Sequence, residues 1–323
     1  MAEAQQAVQL ADIESLVYAR QHEKASQLIL RVLQDIDNKR IGLTVPGKEL
    51  TEHERDHQQL QLLSRFAAAL TSLLADPYFK ISQPGWEALM SFKRHLHAVF
   101  MGSGLGDMNH LLFLVGERKG DGRLTYKNEH SVRKLLLTAT LSAPAEQFDY
   151  AGMLKRLPPQ LAVPFWISFV DAEIVLGERE AEVREQMARL YTQLPEDYVF
   201  PDALLARVTN AWMFLSYLDF PEKHQPKKYL NKILKNWAES KGVKAPSVVR
   251  REMPTGEKPR LLVANEHFRS GHAMHRCYRK AIDSLRERFH TIGLCIDKTI
   301  DDEAAQAFDE VHTFPAEEDI RKI

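Results

Sequence analysis

The sequence predicts a mainly α fold: an all-α N-terminal domain followed by an incomplete α/β segment. Three observations carry that prediction. Apolar residues recur at helical spacing almost without interruption from Ala11 to about Glu239, with hardly any two-residue alternation. Beyond them, Arg260–Asn265 (RLLVAN) and His290–Ile296 (HTIGLCI) are short apolar runs of strand length, separated by a single helical stretch. The change of pattern falls across a charged, Pro/Gly-punctuated segment. Residues 1–240 are therefore assigned to the all-α domain, 241–258 to a basic linker and 259–323 to the start of an α/β domain.

The helical elements follow in order. Leu16, Ala19, Leu28, Ile29, Val32, Leu33 and Ile36 space out as one or two amphipathic helices. Ile41–Leu50, with Gly42, Pro46 and Gly47, reads as a loop. Thr51-Glu52-His53-Glu54 fits a capping box, opening a helix to about Leu74. Pro77 and Pro84 punctuate, and Pro84 suits the first turn of a helix ending near Phe100. Gly102-Ser103-Gly104-Leu105-Gly106 faintly resembles a phosphate loop. No strand precedes it and no Lys-Ser/Thr follows, so a loop ending a helix is the better reading. Further helices are expected over Asn128–Leu141, Phe148–Leu157, Val163–Leu176, Arg179–Leu194, Asp202–Leu218 and Lys223–Glu239. No 34-residue period and no W-x-x-L-G-x-x-Y signature occur, which argues against a repeat array. Phe165, Trp166, Phe169, Trp212, Phe214, Tyr217 and Phe220 read as core rather than as a ligand cage, and so do Phe66, Trp86 and Phe92. His53 with His57 and His95 with His97 lack a third ligand and read as surface histidines.

Composition narrows the function classes. Hydrophobic residues at 44% and charged residues at 27% of 323 are ordinary globular values. A net charge of −1 disfavours a protein-wide field for nucleic acid or membrane. The opening MAEAQQAVQLADIES has neither the basic nor the apolar region of a secretory signal, and no apolar run has membrane-spanning length. The two cysteines, Cys277 and Cys295, form no disulfide framework and suit a reducing cytosol. A cytoplasmic protein is expected. Locally, residues 222–260 carry eleven Lys/Arg against four Glu. A solvated helix face leading into a linker accounts for this charge; attraction of an anionic ligand or acidic protein is the functional alternative.

The chemistry is expected in the α/β segment, Lys258–Ile296. The first strand enters a loop, Glu266–Gly271, and then a helix marked by Met274, Tyr278, Ala281, Ile282, Leu285 and Phe289. No G-x-G-x-x-G follows the strand, which disfavours a nicotinamide cofactor. Ligands of open α/β sheets lie beyond the carboxyl ends of the strands, where His267, Arg269, His272, His275 and Arg276 cluster. His267, His272 and His275 could be read as zinc ligands, but their spacing guarantees no convergent third ligand. Each could instead serve the loop backbone. The favoured reading gives His272, at a helix N-terminus, acid/base or positioning work, with His267 as second choice.

Lys258-Pro259-Arg260, Glu266-His267-Phe268, Ser270, His272, Met274, Arg276 and Arg286-Glu287-Arg288-Phe289 form a long ordered string of unusual residues. That string resembles the opening of the first Rossmann-like domain in the bacterial cytoplasmic N-glycosyltransferases that modify high-molecular-weight adhesins. These are relatives of the O-GlcNAc transferases. Phe308-Asp309-Glu310 and His312 match a further segment; Ala273 and His275 depart from the family's Ser and Tyr. The resemblance implies a non-repeat all-α domain ahead of two Rossmann-like (GT-B) domains. It implies transfer of a hexose (glucose or GlcNAc) from a UDP-sugar to Asn, or Ser/Thr, of an acceptor protein such as an adhesin. Inversion without a metal or other cofactor is implied too. His272 matches the family's active-site histidine; Arg269, Ser270, Gly271, His275 and Arg276 are expected to contact substrate. In the family the donor nucleotide is held mainly by the C-terminal Rossmann domain. So short a stretch after Arg260 leads us to expect an N-terminal portion, inactive without that domain. The alternative is a non-catalytic helical protein-interaction module derived from the family. Neither nucleic acid nor membrane is expected as a partner.

Overall fold

The computed structural model describes residues 2–38, 51–128, 130–142, 148–171, 178–243, 256–265, 267–296 and 299–314. The expected loop Ile41–Leu50, most of the expected linker and Glu266 lie outside them. The chain divides into two units, Met1–Trp237 and Ala238–Ile323.

In the first unit, α1 (Ala2–Tyr18) and α2 (His22–Asp37) are separated at Arg20, which adopts a left-handed φ of 54°. α3 (Glu52–Ala75) begins at the predicted capping box: Thr51 caps Glu54 N, and the Glu54 carboxylate returns to Thr51 N at 2.9 Å. The helix expected from Pro84 to Phe100 is two helices, α4 (Gln83–Ser91) and α5 (Lys93–Gly102). They break at Phe92, whose ψ of 14° leaves the helical region while its ring stays half-buried. α6 (Asn109–Val115) leads into a hairpin that sequence periodicity did not show, β1 (Gly116–Arg118) with β2 (Leu124–Tyr126). Three-residue strands are too short to express an alternation, and the turn is set by Gly122 at φ 82°. Then come α7 (Val132–Thr140), α8 (Tyr150–Arg156), α9 (Pro159–Val170), α10 (Glu178–Arg189), α11 (Leu205–Phe214) and α12 (Pro226–Ser240).

α9 is the hub of this unit; α7, α8, α10 and α11 all pack on it. Its sequence, PQLAVPFWISFV, is apolar nearly all round, as a fully enclosed helix requires. Pro159 occupies the first turn, where its missing N–H costs nothing. Pro164 inside the helix deprives the Gln160 carbonyl of its donor, and Gln83 Nε2 replaces it at 3.1 Å. Phe165, Trp166 and Phe220 are core as expected, with Phe66 and Trp86. Trp212 and Tyr217 are not: they are 43% and 72% exposed. α11 turns Val208 and Ala211 inward, and a residue one position from Ala211 lies about 100° away around the helix. His53 and His57 are exposed; His95 is instead half-buried, its Nε2 at 2.9 Å from Asp37.

The second unit contains β3 (Arg260–Asn265), α13 (Ala273–Leu285), β4 (His290–Ile296), α14 (Asp302–Ala305) and β5 (Glu310–Phe314). The strands form a parallel sheet of order β3–β4–β5, a partial Rossmann-like segment, with register Val263↔Gly293↔Val311. The first two strands have the predicted bounds. Thr291, Gly293 and Cys295 point to the buried face, over a core of Phe268, Ile282, Ala304, Ala307 and Phe308. The opposite face is less covered, and Leu262 is 59% exposed.

Two matched motifs are seen here to be structural. Arg286 binds Asp309 Oδ1 through Nε (3.0 Å) and Nη2 (2.8 Å), and its Nη1 donates to Gln306 O. Asp309 Oδ2 accepts from Thr291 N and Oγ1 at 2.8 and 3.0 Å. The Thr291 amide and then Arg286 hold the Asp309 carboxyl far below the ordinary carboxylate range. Phe308 lies so close to Gly293 that a Cβ there would sit 2.8 Å from the ring. Gly293→Ala is expected to lower stability by about 1–3 kcal/mol through overpacking, measured by urea unfolding.

Candidate functional site

The site lies on the loop from β3 into α13, at the carboxyl end of the first strand. Two anchors fix it. Phe268 is fully buried and its N–H donates to Thr299 O at 2.8 Å. Ser270 donates through N (3.0 Å) and Oγ (2.9 Å) to Asp301 Oδ2. Asp301 uses its other oxygen to cap α14, accepting from Ala304 N at 2.9 Å. Those two backbone N–H groups lower the Asp301 pKa, keeping it an anion that clamps the loop.

His272 is the N-cap of α13, with extended backbone (φ −87°, ψ 149°). Its Nδ1 accepts from Met274 N at 3.3 Å. This bond selects the tautomer of the neutral ring: Nδ1 is the acceptor, so Nε2 carries the proton. The exposed His272 ring therefore offers an N–H donor at Nε2, set to approach a ligand oxygen. His267, also exposed, has its ring 5.8 Å from that of His272. Gly271 is open, with nothing within 4 Å of an added Cβ. Arg269 and Arg276 are exposed on either side of the helix start, and the Arg269 carbonyl accepts from His272 N at 2.8 Å. A helix N-terminus with exposed arginines three residues before and four residues after its N-cap favours an anionic or polyhydroxyl ligand.

His275 stands apart from these. It is 9% exposed, packs edge-on against Phe268 at 5.3 Å, and its Nε2 is buried with no hydrogen-bond partner among the described residues. It lies beneath the loop, whereas His267, Arg269, Gly271, His272 and Arg276 are exposed and the half-buried Ser270 is turned to Asp301. Among the described residues no group of three His, Cys, Asp or Glu side chains could hold a metal ion. Asp301 was legible only as one acid in a run of acids. The signal for it was the N-cap pattern Asp301-Asp302-Glu303 ahead of two alanines.

Comparison with known proteins agrees with the motif. Residues 7–144 match the family described as HMW1C N-terminal. The chain is 25% identical over 313 residues to a UDP-glucose:protein N-beta-glucosyltransferase of Actinobacillus pleuropneumoniae serotype 5b (strain L20), covering 94% of this chain and 50% of that relative. It is 24% identical, with the same coverage, to the protein of that description from serotype 7 (strain AP76). The chain spans about half the length of these curated relatives. The resemblance thus reaches well beyond the matched string, to most of the chain, and what it resembles is the N-terminal portion of an HMW1C-like N-glycosyltransferase. Among the described residues no helix is long and apolar enough to cross a membrane.

Proposed function

We propose that this chain is the N-terminal portion of a UDP-sugar-dependent protein glycosyltransferase of the HMW1C-like kind, moving a hexose onto an asparagine, or a serine or threonine, of an acceptor protein in the cytoplasm. The observation that carries the reading is the β3–α13 loop: the exposed His272 caps α13 through Nδ1, with exposed arginines at 269 and 276. The extended match to two protein N-glucosyltransferases supports it. The reaction would be in-line attack of the acceptor on the anomeric carbon, with inversion and without a metal. His272 Nε2–H would donate to an oxygen of sugar or acceptor, fixing its orientation, and Arg269 and Arg276 would balance negative charge as the UDP departs. Glucose or GlcNAc is the proposed sugar, and an adhesin fits the acceptor class. We further propose that donor binding needs a second Rossmann-like domain, without which the chain is inactive.

The test separates the two duties of His272. In protein isolated from its source cells, with UDP-glucose or UDP-GlcNAc and an asparagine-bearing acceptor, a hexose mass gain on the acceptor is expected. His272→Asn keeps a side-chain cap on Met274 N but has no ring N–H. It is expected to retain the wild-type Tm and to lose about a hundredfold in turnover. Turnover unchanged in His272→Asn would remove the catalytic role. No transfer by the intact endogenous protein, together with acceptor capture by residues 1–240, would instead favour a non-catalytic interaction module.

A further inference from the structure

The loop that carries His272 is held from the next crossover along the sheet. Residues 299–301 follow β4 and run beside that loop. Phe268 and Ile300 pair as an isolated parallel bridge, and Phe268 N donates to Thr299 O. Thr299 is itself fixed, donating through N (3.0 Å) and Oγ1 (2.5 Å) to Ile296 O at the end of β4. Asp301 comes next, and its carboxylate serves two elements. Oδ2 accepts from Ser270 N and Oγ, while Oδ1 caps α14 through Ala304 N. Arg279 of α13 completes the frame, its Nη1 donating to Glu303 O at 3.3 Å. The β3–α13 loop, α13 and α14 are thereby joined.

From this frame to His272 the path is short. His272 N donates to Arg269 O, closing a turn over residues 269–272 in which Ser270 and Gly271 are the central pair. Gly271 has wide backbone freedom, and nothing lies within 4 Å of where a Cβ would be to limit it. Ser270 is half-buried, with its amide and its hydroxyl both donating to Asp301. Fixing Ser270 fixes one of the two central residues, and with it the direction in which the His272 ring leaves the backbone. An ionised acceptor suits this duty, because bonds to a charged group are about twice as strong as neutral ones. The Ala304 and Ser270 amides lower the pKa of the Asp301 carboxyl, so it stays charged. The hydroxyl proton of Ser270 is meanwhile spent on Asp301 rather than offered to a ligand.

We propose that Asp301 and Ser270 are a positioning pair for the transfer reaction: the carboxylate sets the 269–272 turn so that the His272 ring meets the reacting groups, and neither side chain of the pair touches substrate. This inference rests on the glycosyltransferase reading and deepens it. It makes the crossover after β4 part of the machinery that the first strand's loop presents.

Two variants test it. Asp301→Ser keeps a capping oxygen for Ala304 N and loses the second oxygen that holds Ser270. Ser270→Ala is the gentler variant, keeping the backbone bond and losing the hydroxyl one. The first measurement needs no activity: hydrogen exchange of the full chain, read by NMR. In Asp301→Ser the Ser270 amide is expected to exchange about tenfold or more faster, with the β3 and β4 amides as in the wild type. The second is turnover of each variant expressed in and isolated from the source cells, with UDP-sugar and an asparagine-bearing acceptor. Asp301→Ser is expected to lose about tenfold or more in kcat, because a displacement of about 1 Å can cost about a hundredfold. KM for both substrates should stay within about twofold. Ser270→Ala should lose less, in the same sense. Asp302→Asn removes a neighbouring exposed charge without touching the clamp, and should match the wild type in both measurements. Unchanged exchange at Ser270 overturns the proposal. So does faster exchange with unaltered kcat, and so does a raised KM at unaltered kcat, since the pair would then be binding substrate. Failure of the underlying reading looks different: the wild type itself transfers no sugar while exchange still separates the variants, and the positioning role falls with it.

Discussion

Trp166→Ala is expected to be the most damaging single core substitution, costing about 3–5 kcal/mol. Trp166 is fully buried on α9, the helix on which four others pack. Its indole Nε1 donates to Met187 O on α10 at 2.6 Å, and its ring meets Tyr229 of α12 edge-on at 5.7 Å. One side chain thus ties three helices. Alanine would remove its apolar area, leave a cavity bounded by helices that cannot all move inward, and strand a buried carbonyl. Trp86 offers the control. It is equally buried, but its Nε1 has no partner among the described residues. Trp86→Phe is therefore expected to cost less than Trp166→Phe, by about 1 kcal/mol, the net worth of an ordinary hydrogen bond. Urea unfolding of the three variants beside the wild type, with m-values compared, measures both statements.

Asp171→Asn is expected to cost about 3–5 kcal/mol as well, for an electrostatic reason. Asparagine keeps the volume and a carbonyl oxygen, so packing changes little. What disappears is the single described carboxylate among Lys93, Arg184 and Arg207. Burial alone would raise the Asp171 pKa, but Arg207 and Lys93 outweigh it and the net shift is downward. The sign of the pH dependence follows. A carboxyl whose folded pKa is depressed contributes stability above its unfolded pKa, about 3.9, and loses it as pH falls through the folded value. The wild type should therefore lose stability steeply on acidification below about pH 4, and Asp171→Asn should lose less over the same range. An acid limb identical in the two proteins would show that Asp171 does not supply it.

How much of this was legible depends on the physical range of each signal. The two principal strands and the capping box were read from sequence to within a residue, because each is specified locally. An apolar run of strand length, or Thr51 three residues before Glu54, needs no distant partner to be recognised. The division of the 84–100 helix at Phe92 and the hairpin at Gly116–Tyr126 left no comparable trace. Helical periodicity survives a one-residue kink, and three-residue strands hold less than two periods of alternation. Trp212 and Tyr217 were misassigned to the core because spacing gives the angle between residues, not which face meets a neighbour.

The site divides along the same line. Sequence alone placed His267, Arg269, Ser270, Gly271, His272 and Arg276 together, since contiguous residues after a strand and before a helix cannot be far apart. It also determined the mainly α class, the α/β segment and the resemblance to a glycosyltransferase family. Only the tertiary structure decided which residues carry the loop and which form its surface. Asp301 clamps Ser270 from 31 positions away, Arg286 and Asp309 are joined across 23, and His275 turns inward onto Phe268. Asp171 meets Lys93 and Arg207 at separations of 78 and 36. Such pairs exist only after loop closure has been opposed and overcome by burial elsewhere, so a linear string of residue types carries no local mark of them.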